Sequence, residues 1–229
     1  MANFDIKPSK WLNESKQGNF VFAPVGNVCN VQIFDKISME KCAEMLGNLA
    51  QIIAQLPAKP IYTASAKIVS PYDISPDIFV FDVMINSSGG DVNVYKSISS
   101  LFALAKSRGA IVRTQNIGSA ASCASMLAIQ GTPGYRVMYD TACNYIHFGK
   151  TTLTVERADE FDIATQNSKI NREQVRKVYQ AYTKLTPDEI KKFITVEGAG
   201  NLFARKSLEK GVCDWILTID GKLIGRKGR

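Results

Sequence analysis

Histidine is nearly missing from this chain: His147 is the only one in 229 residues. That leaves a single imidazole for any acid–base chemistry. No apolar run approaches the roughly 20 residues that a membrane-spanning helix needs, so a membrane partner is not expected. The N-terminus, Met1-Ala2-Asn3-Phe4-Asp5, lacks a signal-peptide pattern. Cysteine is sparse and odd in number. Cys29, Cys42, Cys123, Cys143 and Cys213 show neither close pairing nor metal-type spacing. They read as reduced thiols of a cytoplasmic protein, and neither a metal nor another cofactor is expected. Internal repeats and low-complexity segments are also absent.

What is present fits a globular enzyme. A hydrophobic fraction of 45% and a charged fraction of 21% are ordinary for a packed domain. The length suits one domain over residues 1–229, with 1–18 as an N-terminal segment and 217–229 as a basic tail. The net charge of +7 is spread out. Part lies in Lys222, Arg226, Lys227 and Arg229; more lies in Arg172, Arg176, Lys177, Lys191 and Lys192, interleaved with acids. A nucleic-acid binder concentrates its charge and interleaves aromatics. This pattern reads as a solvated surface and a loose tail, with no nucleic-acid partner.

Periodicity predicts an α/β fold. Asn19–Ala23 and Val28–Phe34 read as strands. Ser38 opens a helix, with Glu40 in its first turn and apolar residues at helical spacing from Cys42 to Leu56. Pro57 and Pro60 end it. Ile78–Ile85 is the near-continuous apolar run of a buried parallel strand. A glycine turn, Asn86-Ser87-Ser88-Gly89-Gly90, leads to a helix over Asp91–Ser107. Ala110–Ile117 is the next strand, and Gly118 is expected to turn the chain into a helix that begins near Ser122. Strands at Tyr135–Tyr139 and Asn144–Phe148 follow. The order β–α–β–α–β implies parallel crossovers. A long amphipathic stretch covers Val155–Thr183. Its apolar face lacks an obvious partner within the chain, which predicts an oligomer. Thr186-Pro187-Asp188-Glu189 forms a capping box with proline at the first helical position. Asn201–Cys213 offers one more helix and turn.

Three elements carry chemistry. Ser122 follows a run of small residues, Gly118-Ser119-Ala120-Ala121, near the positive end of a helix. The Cys123 N–H is placed to face an oxyanion. Gly90 is the second expected donor, because a residue without Cβ lets a substrate carbonyl approach. His147 is the base. Each has a plainer reading: Ser122 as a packing residue, His147 as a satisfied side chain, the glycines as a loop. Ser119 and Ser125 also fit as nucleophiles on spacing. Together, the three elements compose a serine hydrolase.

Those same elements resemble the proteolytic subunit of the Clp proteases. That family shows an N-S-x-G-G turn after a strand, a G-x-A-A-S nucleophile element and an I-H pair about 25 residues later; here they are Asn86 to Gly90, Gly118 to Ser122, and Ile146-His147. Glu209-Lys210-Gly211-Val212-Cys213-Asp214 resembles the family's E-x-G-x-x-D close. The likeness runs from about Phe20 to Ile216. It implies a crotonase-type fold of stacked ββα spiral units with a long projecting helix. It implies stacked seven-membered rings, AAA+ unfoldases as partners and unfolded polypeptides as substrates. It also implies Ser122 as nucleophile, His147 as general base, and Gly90 and Cys123 as oxyanion donors.

The sequence departs from the family at several points. Ser88 stands where proline is usual, and Phe148-Gly149 where Gln-Pro often follows the histidine. Pro57–Pro76 is longer than usual. The third triad member should be an aspartate. Counting forward from Thr186 reaches Glu197; counting back from Gly211 reaches Ala199. Glu197 keeps a carboxylate, and Asn201 is an uncharged alternative. Two other functions remain alongside a serine endopeptidase: a weak or inactive ring subunit, and a crotonase-fold acyl-CoA enzyme.

Overall fold

The computed structural model describes residues 19–22, 24–57, 68–148, 158–195 and 200–225, with side chains omitted for 158–161. Its elements run β1 (Phe20–Val21), β2 (Val28–Ile33), α1 (Met39–Gln55), β3 (Val80–Ser87), α2 (Val92–Ser107), β4 (Ile111–Ala121), α3 (Cys123–Ile129), β5 (Arg136–Tyr139), β6 (Cys143–Tyr145), α4 (Ala158–Tyr182), α5 (Pro187–Thr195), β7 (Asn201–Phe203), α6 (Ala204–Glu209), β8 (Trp215–Leu217) and β9 (Leu223–Gly225). The expected α/β class is present. Among the described residues, no helix is long and apolar enough to cross a membrane.

The main sheet has the order β1-β2-β3-β4-β5-β8-β9. Its five central strands are parallel, and β1 and β9 close the edges antiparallel. Alternation along β3 assigns its two faces. Phe81, Val83 and Ile85 join the core formed with α1, α2 and α3. Val80 and Asp82 point the other way. On that side Asp82 sits opposite Arg113 of β4, which grips it through Nε at 2.9 Å and Nη2 at 2.6 Å. Gln115 donates to the same carboxylate at 2.7 Å, and Tyr72 covers Arg113. A charge inside an apolar run survives because every partner is supplied.

Helix ends follow local chemistry. Ser38 Oγ accepts the Lys41 N–H, and Pro57 forces Leu56 out of the helical region into extended backbone. Asp91 caps α2 by accepting the N–H groups of Asn93 and Val94. Thr186 and Glu189 cap α5 reciprocally, at 2.9 and 3.2 Å.

Three expectations are corrected. Gly118 is not the turn: β4 runs on through Gly118 to Ala121, because Ser119, Ala120 and Ala121 pair with β6. The expected Asn201 helix begins as a strand, β7, paired antiparallel with β6. The tail does not start loose. β8 and β9 form a hairpin on the sheet edge, held by Trp215 Nε1 donating to the Gly134 carbonyl at 2.8 Å.

The hairpin begins beside a buried ion pair. Asp214 accepts from Arg136 Nε at 2.8 Å, from Arg136 Nη2 at 2.7 Å and from the Gly134 N–H at 2.7 Å. Arg136 Nη1 also donates to the Tyr182 carbonyl at 2.7 Å, tying the end of α4 to the sheet. Burial pushes the Asp214 carboxyl pKa up, but the Arg136 bonds and charge and the two amides outweigh it, so the net shift is down. A depressed carboxyl contributes stability above its unfolded pKa, and that contribution is lost only as pH falls through the lower folded value. At pH 7 it is fully present. Asp214→Ala strands the Arg136 charge and should cost about 3–5 kcal/mol. Denaturant melts at fixed chain concentration will read this; a cost under about 1 kcal/mol would show the pair to be dispensable.

Candidate active site

Ser122 sits where β4 ends and α3 begins, one residue before the helix rather than inside it. Its backbone has φ 54 and ψ −123, and among the described residues it is the only non-glycine with positive φ. An L-residue is strained there. Both of its peptide groups are held: its N–H donates to the Tyr145 carbonyl at 3.0 Å, and its carbonyl accepts from Met126 at 3.2 Å. A strained strand-to-helix turn lifts the side chain clear of the sheet, which is the geometry of a nucleophile elbow.

The rival serines are placed elsewhere. Ser119 lies exposed on β4 opposite Cys143, with its N–H on Asn86 Oδ1 at 2.9 Å. Ser125 is fully buried and shared between Asn144 Oδ1 and the Tyr179 hydroxyl. That triplet fastens α3 and β6 to α4. Neither serine lines the cavity that contains Ser122.

That cavity holds about 260 Å³. Gly90, Ser122, Cys123 and His147 all line it. Its apolar lining includes Val92 of α2, Met126 of α3, and Val175 and Val178 of α4. The His147 ring stacks on Tyr145 at 4.7 Å, with 12° between planes. Partial burial disfavours the imidazolium and lowers the His147 pKa, so a neutral imidazole prevails at pH 7.

The glycine turn is held against Ile37. The Ile37 N–H donates to the Gly89 carbonyl at 2.9 Å, and the Asp91 N–H donates to the Ile37 carbonyl at 2.6 Å. This parallel bridge centres on Gly90 and leaves that residue's own N–H and C=O for the opposite side. There the Gly90 carbonyl accepts the Cys123 thiol at 3.2 Å. The two glycines divide their tasks differently from the expectation. A Cβ on Gly90 (φ 151) would collide with the Ile37 carbonyl, so strand pairing explains that glycine. The residue that must be bare before Ser122 is Gly89 (φ 89): its Cβ would lie 2.8 Å from Ser122 Cβ and 2.9 Å from Cys123 N. As the first residue of α3, Cys123 has no intrahelical acceptor for its N–H.

The third member of the set is less accessible. Glu197 and Ala199 lie outside the described residues. Asn201 opens β7 opposite Tyr145, and its Oδ1 accepts from the Cys143 thiol at 3.6 Å. Gly200 passes so close to Ile146 that a Cβ would strike the Ile146 carbonyl. The Ile146 N–H donates to the Gly200 carbonyl at 3.0 Å. Sequence reasoning missed Tyr145 and Lys96 as residues of this region. Lys96 had a signal, since it follows Val92 by one helical turn on the same face of α2. Tyr145 had only its alternation with His147.

The family model described as Clp protease matches residues 71–220, which span every element from β3 to β8. No curated protein matches the chain.

Proposed function

Because the chain belongs to the Clp protease family, a family of peptidases, we propose that it is a serine endopeptidase subunit that cleaves unfolded polypeptides through an acyl-enzyme. One observation carries this reading: a serine held in a strained turn shares a cavity with the only histidine of the chain. In this scheme His147 removes the proton from Ser122 Oγ as the oxygen attacks the scissile carbonyl. The N–H groups of Gly90 and Cys123 receive the developing oxyanion. His147⁺ then protonates the leaving amine, and water repeats the sequence to free the acid. Glu197 is the proposed orienting carboxylate. No metal or cofactor takes part.

The assembly follows the same reading. Ile163 and Ile170, seven residues apart on one face of α4, stand 58% and 47% exposed. A second copy of the chain is the proposed cover, in stacked seven-membered rings fed by an AAA+ unfoldase. The β6–β7 pair set off from the main sheet supports a crotonase-type spiral of ββα units. The five cysteines are all unbridged, in keeping with a reducing cytoplasm.

A fluorophosphonate probe tests the reading directly. Intact-mass analysis should show one adduct per chain, lost in Ser122→Ala and kept in Ser119→Ala. Native mass, measured on the same sample, should be a multiple of 25.2 kDa. An unlabelled ring would instead identify a weak or inactive ring subunit. A labelled monomer would remove the ring from the proposal.

A further inference from the structure

The cavity beside Ser122 carries a charge that peptide hydrolysis does not require. Lys96 lies one turn after Val92 on α2, and both side chains line the cavity. Lys96 is the only charged side chain among the described lining residues. It is exposed, and its ammonium pairs with no carboxylate among the described residues. A second cation stands behind the wall: the Arg172 guanidinium lies 4.9 Å from the ring centroid of Phe148, itself a lining residue. No described carboxylate lines the cavity to offset either charge.

Apolar walls and a cation at the rim select a particular kind of side chain. Val92, Met126, Val175 and Val178 accept methylenes. Lys96 can then meet a terminal carboxylate without first breaking an ion pair of its own. The cavity contains Ser122 together with Gly90 and Cys123, the proposed oxyanion donors, so the side chain it takes is assigned to the residue whose carbonyl is attacked.

Resting on the serine-peptidase reading above, we propose that this site favours cleavage after acidic residues, glutamate foremost, with Lys96 as the specificity-determining group. Glutamate suits it better than aspartate, because its longer stem crosses the apolar walls before the charge reaches the rim. Lys96 acts on binding of the side chain and plays no part in bond breaking.

The test uses three fluorogenic peptides that differ only before the scissile bond, carrying Glu, Gln or Leu. The Glu peptide should exceed the Gln peptide in kcat/KM by about fivefold, the upper range for one solvent-accessible charge pair. The ratio should shrink in high salt. It should vanish in Lys96→Met, persist in Lys96→Arg and invert in Lys96→Glu. Lys96 is exposed, so these variants should fold, and native mass checks that they do. Equal rates for Glu and Gln with the Leu peptide still cleaved would overturn this inference and leave the peptidase reading intact. A Glu preference that survives Lys96→Met would overturn it as well. Cleavage of none of the three, with Ser122 unlabelled by a fluorophosphonate, would overturn both.

Discussion

Ser122→Ala should abolish peptide hydrolysis, lowering kcat by roughly five to six orders of magnitude, as loss of a triad serine does elsewhere. The hydroxyl is the proposed attacking group, and no other serine among the described residues lines the cavity. Fluorophosphonate labelling should vanish with it. The variant keeps its Cβ, so it keeps the strain at φ 54. Ser122→Gly should be equally inactive yet more stable than Ser122→Ala by about 1 kcal/mol, because glycine tolerates positive φ. Activity within tenfold of wild type in either variant would remove Ser122 from the mechanism. The wild-type pH profile gives an independent view. Burial lowers the His147 pKa, and His147 must be neutral to act as the proposed base. The acid limb of kcat/KM should therefore fall below the range of an ordinary histidine. A limb at or above that range would mean that a nearby negative charge outweighs burial.

Helices were the most legible part of the fold. Cys42, Met45, Leu49, Ile52 and Ile53 recur at helical spacing because α1 lays one face on the sheet, and all five are buried. Thr186 and Glu189 announce a helix start through a hydrogen-bond pattern local to four residues. What escaped was set by distant partners. β7, β8 and β9 have three residues each, too few to show any period. Their extended form depends on pairing, β7 with β6, β8 with β5 and β9 with β8. Gly118 misleads for the same reason. Glycine suggests a turn locally, yet the Asn86 side chain occupies the space where its Cβ would stand, and Ser119 pairs onward with Cys143.

The site was legible as residue types and less so as geometry. Spacing left Ser119 and Ser125 beside Ser122, and the family resemblance singled out Ser122, His147, Gly90 and Cys123; the structure brings these four around one cavity. The reason for each was harder to read. Sequence offers two adjacent glycines with no means of telling which one clears space before Ser122. The answer depends on Ile37, more than fifty residues upstream, which fixes Gly90 and leaves Gly89 facing Ser122. The strain at Ser122 has no sequence signature either, since serine is at ease in most backbone regions.

Glu197→Gln should lower peptidase turnover by roughly two to four orders of magnitude, by analogy with loss of the acidic member of a triad. The motive is chain geometry. Gly200 is bonded to Ile146, next to His147. Glu197 is three residues earlier, within roughly 10 Å of Gly200 by the reach of extended chain. It is the only carboxylate between Glu189 and Glu209. A carboxylate beside the imidazole would hold one tautomer and offset the imidazolium formed as Ser122 attacks. Glutamine preserves size and hydrogen bonding but removes the charge, so ground-state binding should change little: kcat should fall while KM stays nearly constant. The pH profile separates this role from a structural one. Removing a negative neighbour lowers the imidazole pKa further, so the acid limb should move to lower pH in the variant. Loss of activity with an altered native mass and an unmoved limb would mark Glu197 as structural. Turnover within about threefold of wild type would reject the orienting role and shift attention to Asn201, whose Oδ1 already engages Cys143. Asn201→Ala, measured beside it, should then carry the larger loss.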